Sequence, residues 1–389
     1  MFNVKTMNSI ASTGIELLKS RGYQVSENEE RPDALLVRSV DLHNYDFNPE
    51  LLCISRAGAG TNNIPVERAA EMGIVVFNTP GANAEAVKEL CICSLLIASR
   101  DVIGGIEWVR SIADEGEKIP DMVEDEKARF LGPEINGKTL GVIGLGAVGA
   151  KIANAALTLG MYVYGYDPYL SVDAAWSLSS RVYHATSLDQ IYRNCDYITL
   201  HIPYGQGTHH FLNGESFEKM RSGVRIINLA RGELVCDEDL IAAIGSGKVA
   251  RYVTDFPNEL TAGIENIIPL PHLGASTPES EENCSRMAAA EIIDYLENGN
   301  ISNSVNFTDI HSERTGTGRL CVIHKNMPRM ISSMLETTSA RSINVENLIS
   351  KPSGDLAYAI IDINASPEQS LEVAQEIRER EGIISVRLI

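Results

Sequence analysis

Residues 139–167 constrain this chain more than any other stretch. An apolar strand, Thr139-Leu140-Gly141-Val142-Ile143, runs into Gly144-Leu145-Gly146-Ala147-Val148-Gly149. An apolar helical pattern follows to Leu159, then a second strand, Tyr162 to Tyr166, ending at Asp167, 18 residues past Gly149. A glycine triplet alone arises by chance, but one that closes a strand, opens a helix and is answered by an acidic residue at the next strand end describes a dinucleotide-binding unit. Gly144 permits the tight turn, Gly146 lets a pyrophosphate approach the backbone, and Gly149 lets helix and strand pack closely. The helix N-terminus offers N–H donors and partial positive charge to the phosphates. Asp167 can accept both ribose hydroxyls and would repel a 2′-phosphate, so the cofactor expected is NAD rather than NADP.

The glycine motif begins at residue 144, so a domain of its own precedes it. For 389 residues, at about 150 per domain, two or three domains are expected. Short apolar strands (34–37, 51–54, 74–77) alternate with helical patterns over the first 100 residues, and the alternation resumes from 139 to about 274. That order reads as α/β architecture with parallel sheets covered on both faces. Residues 111–135, with Glu124-Asp125-Glu126, read as a solvated surface segment, and 298–317 as a polar linker. From residue 317 the order is βαββαβ, a small ferredoxin-like module.

Lys plus Arg number 33 and Asp plus Glu 52, a formal charge of −19. Nucleic acid and anionic membrane are therefore not expected as partners, because both need a basic surface. The longest apolar helical stretch, Leu90 to Ser99, is too short to span a bilayer. The N-terminus carries no leader pattern, so a cytoplasmic location is expected. Seven scattered cysteines lack zinc spacing, and no metal is expected. An anionic substrate would need a local positive patch in this acidic chain.

Three strand ends after the glycine motif carry polar residues: Asn228-Leu229-Ala230-Arg231-Gly232, Thr254-Asp255 with Glu259 beyond, and Pro271-His272-Leu273-Gly274-Ala275-Ser276-Thr277. In an open parallel sheet, strand carboxyl ends face the ligand crevice. Oxidation of a secondary alcohol by NAD needs a base for the hydroxyl proton, and His272 has the right ordinary pKa. A carboxylate can orient that imidazole, and an Arg can hold a substrate carboxylate through two parallel hydrogen bonds.

In order and spacing, these segments resemble the NAD-dependent D-2-hydroxyacid dehydrogenase family over roughly residues 1–305. The resemblance implies a Rossmann NAD-binding domain at 93–274 and a flavodoxin-like substrate domain split between 1–92 and a returning helix within 275–305. A linker at 306–316 and a regulatory module at 317–389 complete the chain. It implies Arg231 on the substrate carboxylate, His272 as acid/base and Glu259 as its orienting partner, although the Asp255-to-Glu259 interval is four residues where many relatives have five. Along the cofactor it implies Gly144, Gly146, Ala147, Val148, Gly149, Asp167, His201, Pro203, Ala230, Asp255, His272 and Gly274.

Arg56-Ala57-Gly58-Ala59-Gly60-Thr61-Asn62-Asn63 resembles the substrate loop of family members acting on 3-phospho-D-glycerate, the first step of L-serine synthesis, and Phe77-Asn78-Thr79-Pro80 resembles the segment that follows it. Arg56, Ala57, Gly58 and Asn78 are the substrate contacts implied, with Arg38 and Lys88 as further cations. The alternatives are another 2-hydroxy acid, such as 4-phosphoerythronate, or a non-catalytic NAD-binding sensor. The module from 317 resembles an ACT domain, which implies an amino-acid effector such as L-serine held by His324, Asn326 and Asn344. Arg329 stands where serine-binding relatives usually have Gly. Edge strands of that module suggest pairing across subunits in a homodimer or homotetramer.

Overall fold

The computed structural model describes all 389 residues, the side chain of Asp173 apart. It divides into two compact units, Met1–Asn83 with Pro278–Ile389, and Ala84–Thr277.

In the first unit five parallel strands lie in the order Gln24–Ser26, Asn3–Met7, Ala34–Val37, Cys53–Arg56 and Val75–Phe77. Ala34 to Val37 are buried on both faces, which explains their uninterrupted apolar run. The expected returning helix is present as Pro278–Asn298 and packs on Ser12–Ser20. A Cβ on Gly14 would lie 2.3 Å from the Ser285 carbonyl, so a glycine is needed where these helices meet. Ala288, Ala289, Ile292 and Leu296 join Val4, Leu36, Cys53 and Phe77 in one core.

The C-terminal module has the expected βαββαβ order. Its antiparallel sheet runs Asn344–Ser353, Leu356–Asn364, Gly318–Lys325, Ile383–Leu388, with helices Met330–Ala340 and Pro367–Arg378. Alternate residues of its central strands face opposite ways. Leu320, Val322, Ala359 and Ile361 pack with Met334, Val373 and Ile377 of its helices. Cys321, Ile323, Tyr358 and Ile360 instead join the core that contains the returning helix.

The module thus has a core of its own on one face, while the segment expected to be a polar linker is packed and paired. Residues 306–316 are ordered: Phe307 and Ile310 are buried, and Ile301 pairs with Ile310. Arg319 and Asp362 form a fully buried ion pair, with Nε to Oδ1 at 2.6 Å and Nη2 to Oδ2 at 2.8 Å. Nη1 donates to the carbonyls of Asn298 and Ser312, and Thr315 donates to Asp362 from its amide and hydroxyl. The polar composition that reads as a tether is used to satisfy this buried pair.

The second unit is a seven-stranded parallel sheet in the order Ile267–Pro269, Val249–Thr254, Val224–Asn228, Tyr197–Leu200, Thr139–Ile143, Tyr162–Tyr166, Tyr183–His184. Chain direction across the sheet reverses between Thr139–Ile143 and Tyr197–Leu200, the position where such sheets open a ligand crevice. The helix Ala84–Ser99 lies wholly in this unit, with Val87, Cys91, Leu95 and Ala98 packed on Leu140, Tyr197 and Val253. The boundary expected after residue 92 therefore falls at Asn83. The segment 111–135, expected to be a solvated surface, is largely exposed and partly helical: Ile119–Glu126 buries no residue, whereas Ile112 and Ile135 at its two ends are buried. Among the described residues, no helix is long and apolar enough to cross a membrane.

Candidate active site

The glycine turn sits at the carboxyl end of Thr139–Ile143. Gly144 has φ +91°, and a Cβ there would lie 2.4 Å from the His201 carbonyl oxygen. A Cβ on Gly149 would lie 1.9 Å from the carbonyl oxygen of Gly144, closer than any side chain allows. Gly146 differs: a Cβ there would meet nothing within 4 Å. It caps the helix Ala147–Thr158 without a side-chain hydrogen bond; Gly146 and Ala147 are exposed and Val148 half-buried. An open helix start with undonated amides fits a pyrophosphate. Asp167 accepts from the Leu145 amide through Oδ2 and from the Tyr169 amide through Oδ1, both at 2.9 Å. Each carboxylate oxygen keeps accepting capacity for a ribose hydroxyl. His201 contacts Thr199 Oγ1 through Nε2 at 2.8 Å, and burial pushes its pKa down to about 3, so the ring is neutral. Pro203 is exposed two residues on.

Asp255 ends the strand Val249–Thr254 and is 1% exposed. Its Oδ2 accepts from the Gly274 amide at 2.9 Å, and its backbone carbonyl accepts from His272 N at 3.0 Å. Oδ1 is buried with no hydrogen-bond partner, an acceptor suited to an amide N–H such as the nicotinamide carboxamide carries. Burial pushes this carboxyl up, while the Gly274 N–H and the nearby His272 and Arg231 charges pull it down; the net direction is upward.

His272 has φ +35°, a left-handed conformation held by its amide bonds to the carbonyls of Asp255 and Leu270. Its exposed imidazole packs on Phe256, with centroids 4.5 Å apart. The Arg231 guanidinium lies 5.5 Å from the same ring, and its Nη1 donates to the Ala230 carbonyl at 2.6 Å. Buried Asn228 fixes that turn by donating to the Arg231 carbonyl and to Tyr252 Oη, and by accepting from Ala230 N. Phe256 is absent from the sequence-based set, and Asn228 enters it only as the first residue of a strand-end motif, with no role assigned. An aromatic residue directly after the strand-end Asp255 is the signal that would have found Phe256.

Glu259 is exposed and makes no hydrogen bond or ion pair among the described residues, so the structure does not bring it to His272. Its loop is shaped by Asn258, whose Oδ1 accepts from Leu260 N and Thr261 N.

In the other unit, Arg56 ends the strand Cys53–Arg56 and donates through Nε to the Arg38 carbonyl at 2.9 Å. A Cβ on Gly58 would lie 2.5 Å from Arg56 Nη1, so glycine leaves room for the guanidinium. Buried Ala57 donates to the Val37 carbonyl, and Asn78 Nδ2 to the Ala59 carbonyl. The two additional cations are both engaged in ion pairs. Arg38 pairs with Glu281 at 2.8 Å, and Lys88 pairs with Glu85, which also takes Lys151. Lys151 and Lys88 pull the Glu85 carboxyl down to about 2.

In the C-terminal module His324 is buried, with Nδ1 donating to the Lys325 carbonyl and Nε2 left without a partner. Asn326 donates to the Gly354 carbonyl and Asn344 to Glu346. Asn344 lies opposite Asn364, whereas Lys325, next to Asn326, lies opposite Leu356. Eight residues of strand separate those positions, about 26 Å at 3.3 Å per residue. Within one chain Asn344 does not converge with the other two.

Residues 95–274 match the D-isomer specific 2-hydroxyacid dehydrogenase NAD-binding domain. The chain belongs to this family of NAD-binding dehydrogenases. It is 26% identical to D-3-phosphoglycerate dehydrogenase 2 of Saccharomyces cerevisiae, over 100% of this chain and 87% of that protein. It is 33% identical to D-3-phosphoglycerate dehydrogenase of Pongo abelii over 70% of this chain, and spans half of that protein's length. An NAD+-bound 3-phosphoglycerate dehydrogenase of Entamoeba histolytica superposes with a TM-score of 0.62 at 25% identity, covering 78% of this chain and 98% of that one.

Proposed function

We propose that this protein oxidises 3-phospho-D-glycerate at C2 to 3-phosphohydroxypyruvate with NAD, the reaction that opens L-serine synthesis. The observation carrying this reading is the pairing of Arg231 and His272 on one aromatic ring beside buried Asp255, at the carboxyl ends of the cofactor-domain strands. NAD, when bound, supplies the hydride acceptor. His272 removes the C2 hydroxyl proton as the C–H electron pair leaves as hydride, and Arg231 holds the carboxylate. Arg56, on its glycine-bearing loop, meets the phosphate. Glu259 is the carboxylate proposed to orient the imidazole. The relatives bearing the phosphoglycerate dehydrogenase name support the substrate. A panel of 2-hydroxy acids followed at the NADH absorbance, with NAD and with NADP, tests this reading. Turnover of 3-phosphoglycerate should exceed that of unphosphorylated acids, and preference for another acid would overturn it.

The C-terminal module is proposed as an ACT-like effector domain for an amino acid such as L-serine, with buried, unpartnered His324 Nε2 as a ligand contact. A second copy of the chain is proposed to cover the segment 102–130, where Ile106, Trp108, Val109, Val123 and Phe130 line an apolar groove of about 490 Å3. Light scattering of the intact chain, with Ile106→Asp as control, tests the dimer. Titration of serine against activity tests the effector.

A further inference from the structure

Glu291 stands in the middle of the helix Pro278–Asn298, among Ala288, Ala289, Ile292 and Ile293, and is 7% exposed. No lysine or arginine pairs with it among the described residues. Its oxygens accept only from neutral donors: Oε2 from Ser55 Oγ and Oε1 from Asn303 Nδ2, each at 3.0 Å. Burial, with Asp309 repelling, pushes its pKa up to about 8. A buried carboxyl without a cation is costly, and an apolar residue here would favour stability alone. Its hydrogen bonds lead toward the substrate loop.

Ser55 immediately precedes Arg56 on the strand Cys53–Arg56. Asn303, at φ +60°, accepts through its carbonyl from the Asn78 amide at 3.3 Å, and its neighbour Ser304 pairs with Phe77. Asn78 in turn donates from its side chain to the Ala59 carbonyl at 2.5 Å, and Thr79 N donates to the Gly58 carbonyl at 3.2 Å. Two routes thus run from one carboxyl to the two ends of the same loop, through Ser55 to Arg56 and through Asn303 and Asn78 to Ala59.

We propose that Glu291 is a positioning residue that holds the Arg56–Ala59 loop in register with Asn78 for the phosphorylated end of the substrate. This inference rests on the reading of Arg56 given above. Glu291 does not touch the substrate; it fixes the groups that do. Gln can replace it, because its oxygen accepts from Asn303 while its Nε2 donates to Ser55 Oγ.

The test is steady-state kinetics of the full chain with 3-phosphoglycerate and NAD. Glu291→Ala should raise KM for 3-phosphoglycerate about tenfold, corresponding to about 1.4 kcal/mol. Both kcat and KM for NAD should stay unchanged, and Glu291→Gln should restore the wild-type KM. Asn303→Gly keeps the left-handed backbone and cuts one route, so it should raise the same KM even if Glu291→Ala does not fold. An unchanged KM in Asn303→Gly overturns the proposal. So does a loss that falls equally on kcat and on KM for NAD, which marks a purely structural role. Arg56→Ala separates the two readings. If it raises KM while the Glu291 and Asn303 variants do not, this inference falls alone. If none of the variants changes KM, the reading of the loop falls and takes this inference with it.

Discussion

The imidazole of His272 packs on the ring of Phe256, with 4.5 Å between centroids, and the Arg231 guanidinium lies 5.5 Å from that ring. One aromatic side chain thereby sets the spacing of the two groups proposed to act on the two ends of a 2-hydroxy acid's reacting unit. Phe256→Ala should lower kcat/KM by about tenfold, because small misplacement of reacting groups is expensive. NAD affinity, measured by fluorescence titration, should not change. Wild-type kcat/KM in this variant would remove the ring from the site.

His272→Asn should lower turnover by about 10² to 10⁴, the worth of a positioned acid/base. Asn tolerates the left-handed backbone found at φ +35° better than most residues, so the turn is preserved. Single-turnover NADH formation and NAD titration together distinguish lost proton transfer from lost binding.

Asp167→Ala should narrow the preference for NAD over NADP, measured as the ratio of kcat/KM values. The carboxylate is held by the Leu145 and Tyr169 amides, so its charge sits at the glycine turn. Removing it takes away repulsion of a 2′-phosphate together with two anchoring bonds, and some loss with NAD is expected as well. A wild-type preference for NADP would contradict the role given to Asp167.

Arg56→Ala should raise KM for 3-phosphoglycerate far more than for an unphosphorylated 2-hydroxy acid. A charge-assisted hydrogen bond to phosphate is worth about 1.5–3 kcal/mol, or roughly 10- to 150-fold in KM. Equal losses for both substrates would move Arg56 to the shared carboxylate.

Asp362→Asn leaves the Arg319 charge buried and unpaired, and should destabilise the chain by about 3–5 kcal/mol in chemical denaturation. Burial alone would raise the Asp362 carboxyl, but the Arg319 guanidinium and the Thr315 amide hold it below the ordinary range. A carboxyl depressed in the folded state contributes stability above its unfolded pKa and loses it as pH falls through the folded value. The wild type should therefore lose more stability than Asp362→Asn on acidification below about pH 4. Parallel acid unfolding of the two would discount the pair.

The sequence alone determined the cofactor turn, the parallel α/β architecture and the βαββαβ order of the C-terminal module; the return of the helix after residue 277 to the first domain was implied only by the family resemblance. The first three follow from local signals: glycine spacing, apolar periodicity and strand-end polar residues lie within a few positions of one another along the chain. Tertiary structure decided what depends on residues far apart in sequence. Arg38 and Lys88 look like free cations until Glu281 and Glu85 pair with them. Glu259 has the right chemistry and order, yet its loop leaves it exposed while Phe256 receives the His272 ring. Residues 306–316 have the composition of a linker, but the charge of Arg319 cannot be buried without donors and acceptors, and that polar segment surrounds it. The far face of the C-terminal sheet reads as an ordinary strand face in sequence. Only in the folded chain do Cys321 and Tyr358 join the core of the returning helix, because apolar area on both faces of a sheet must be covered.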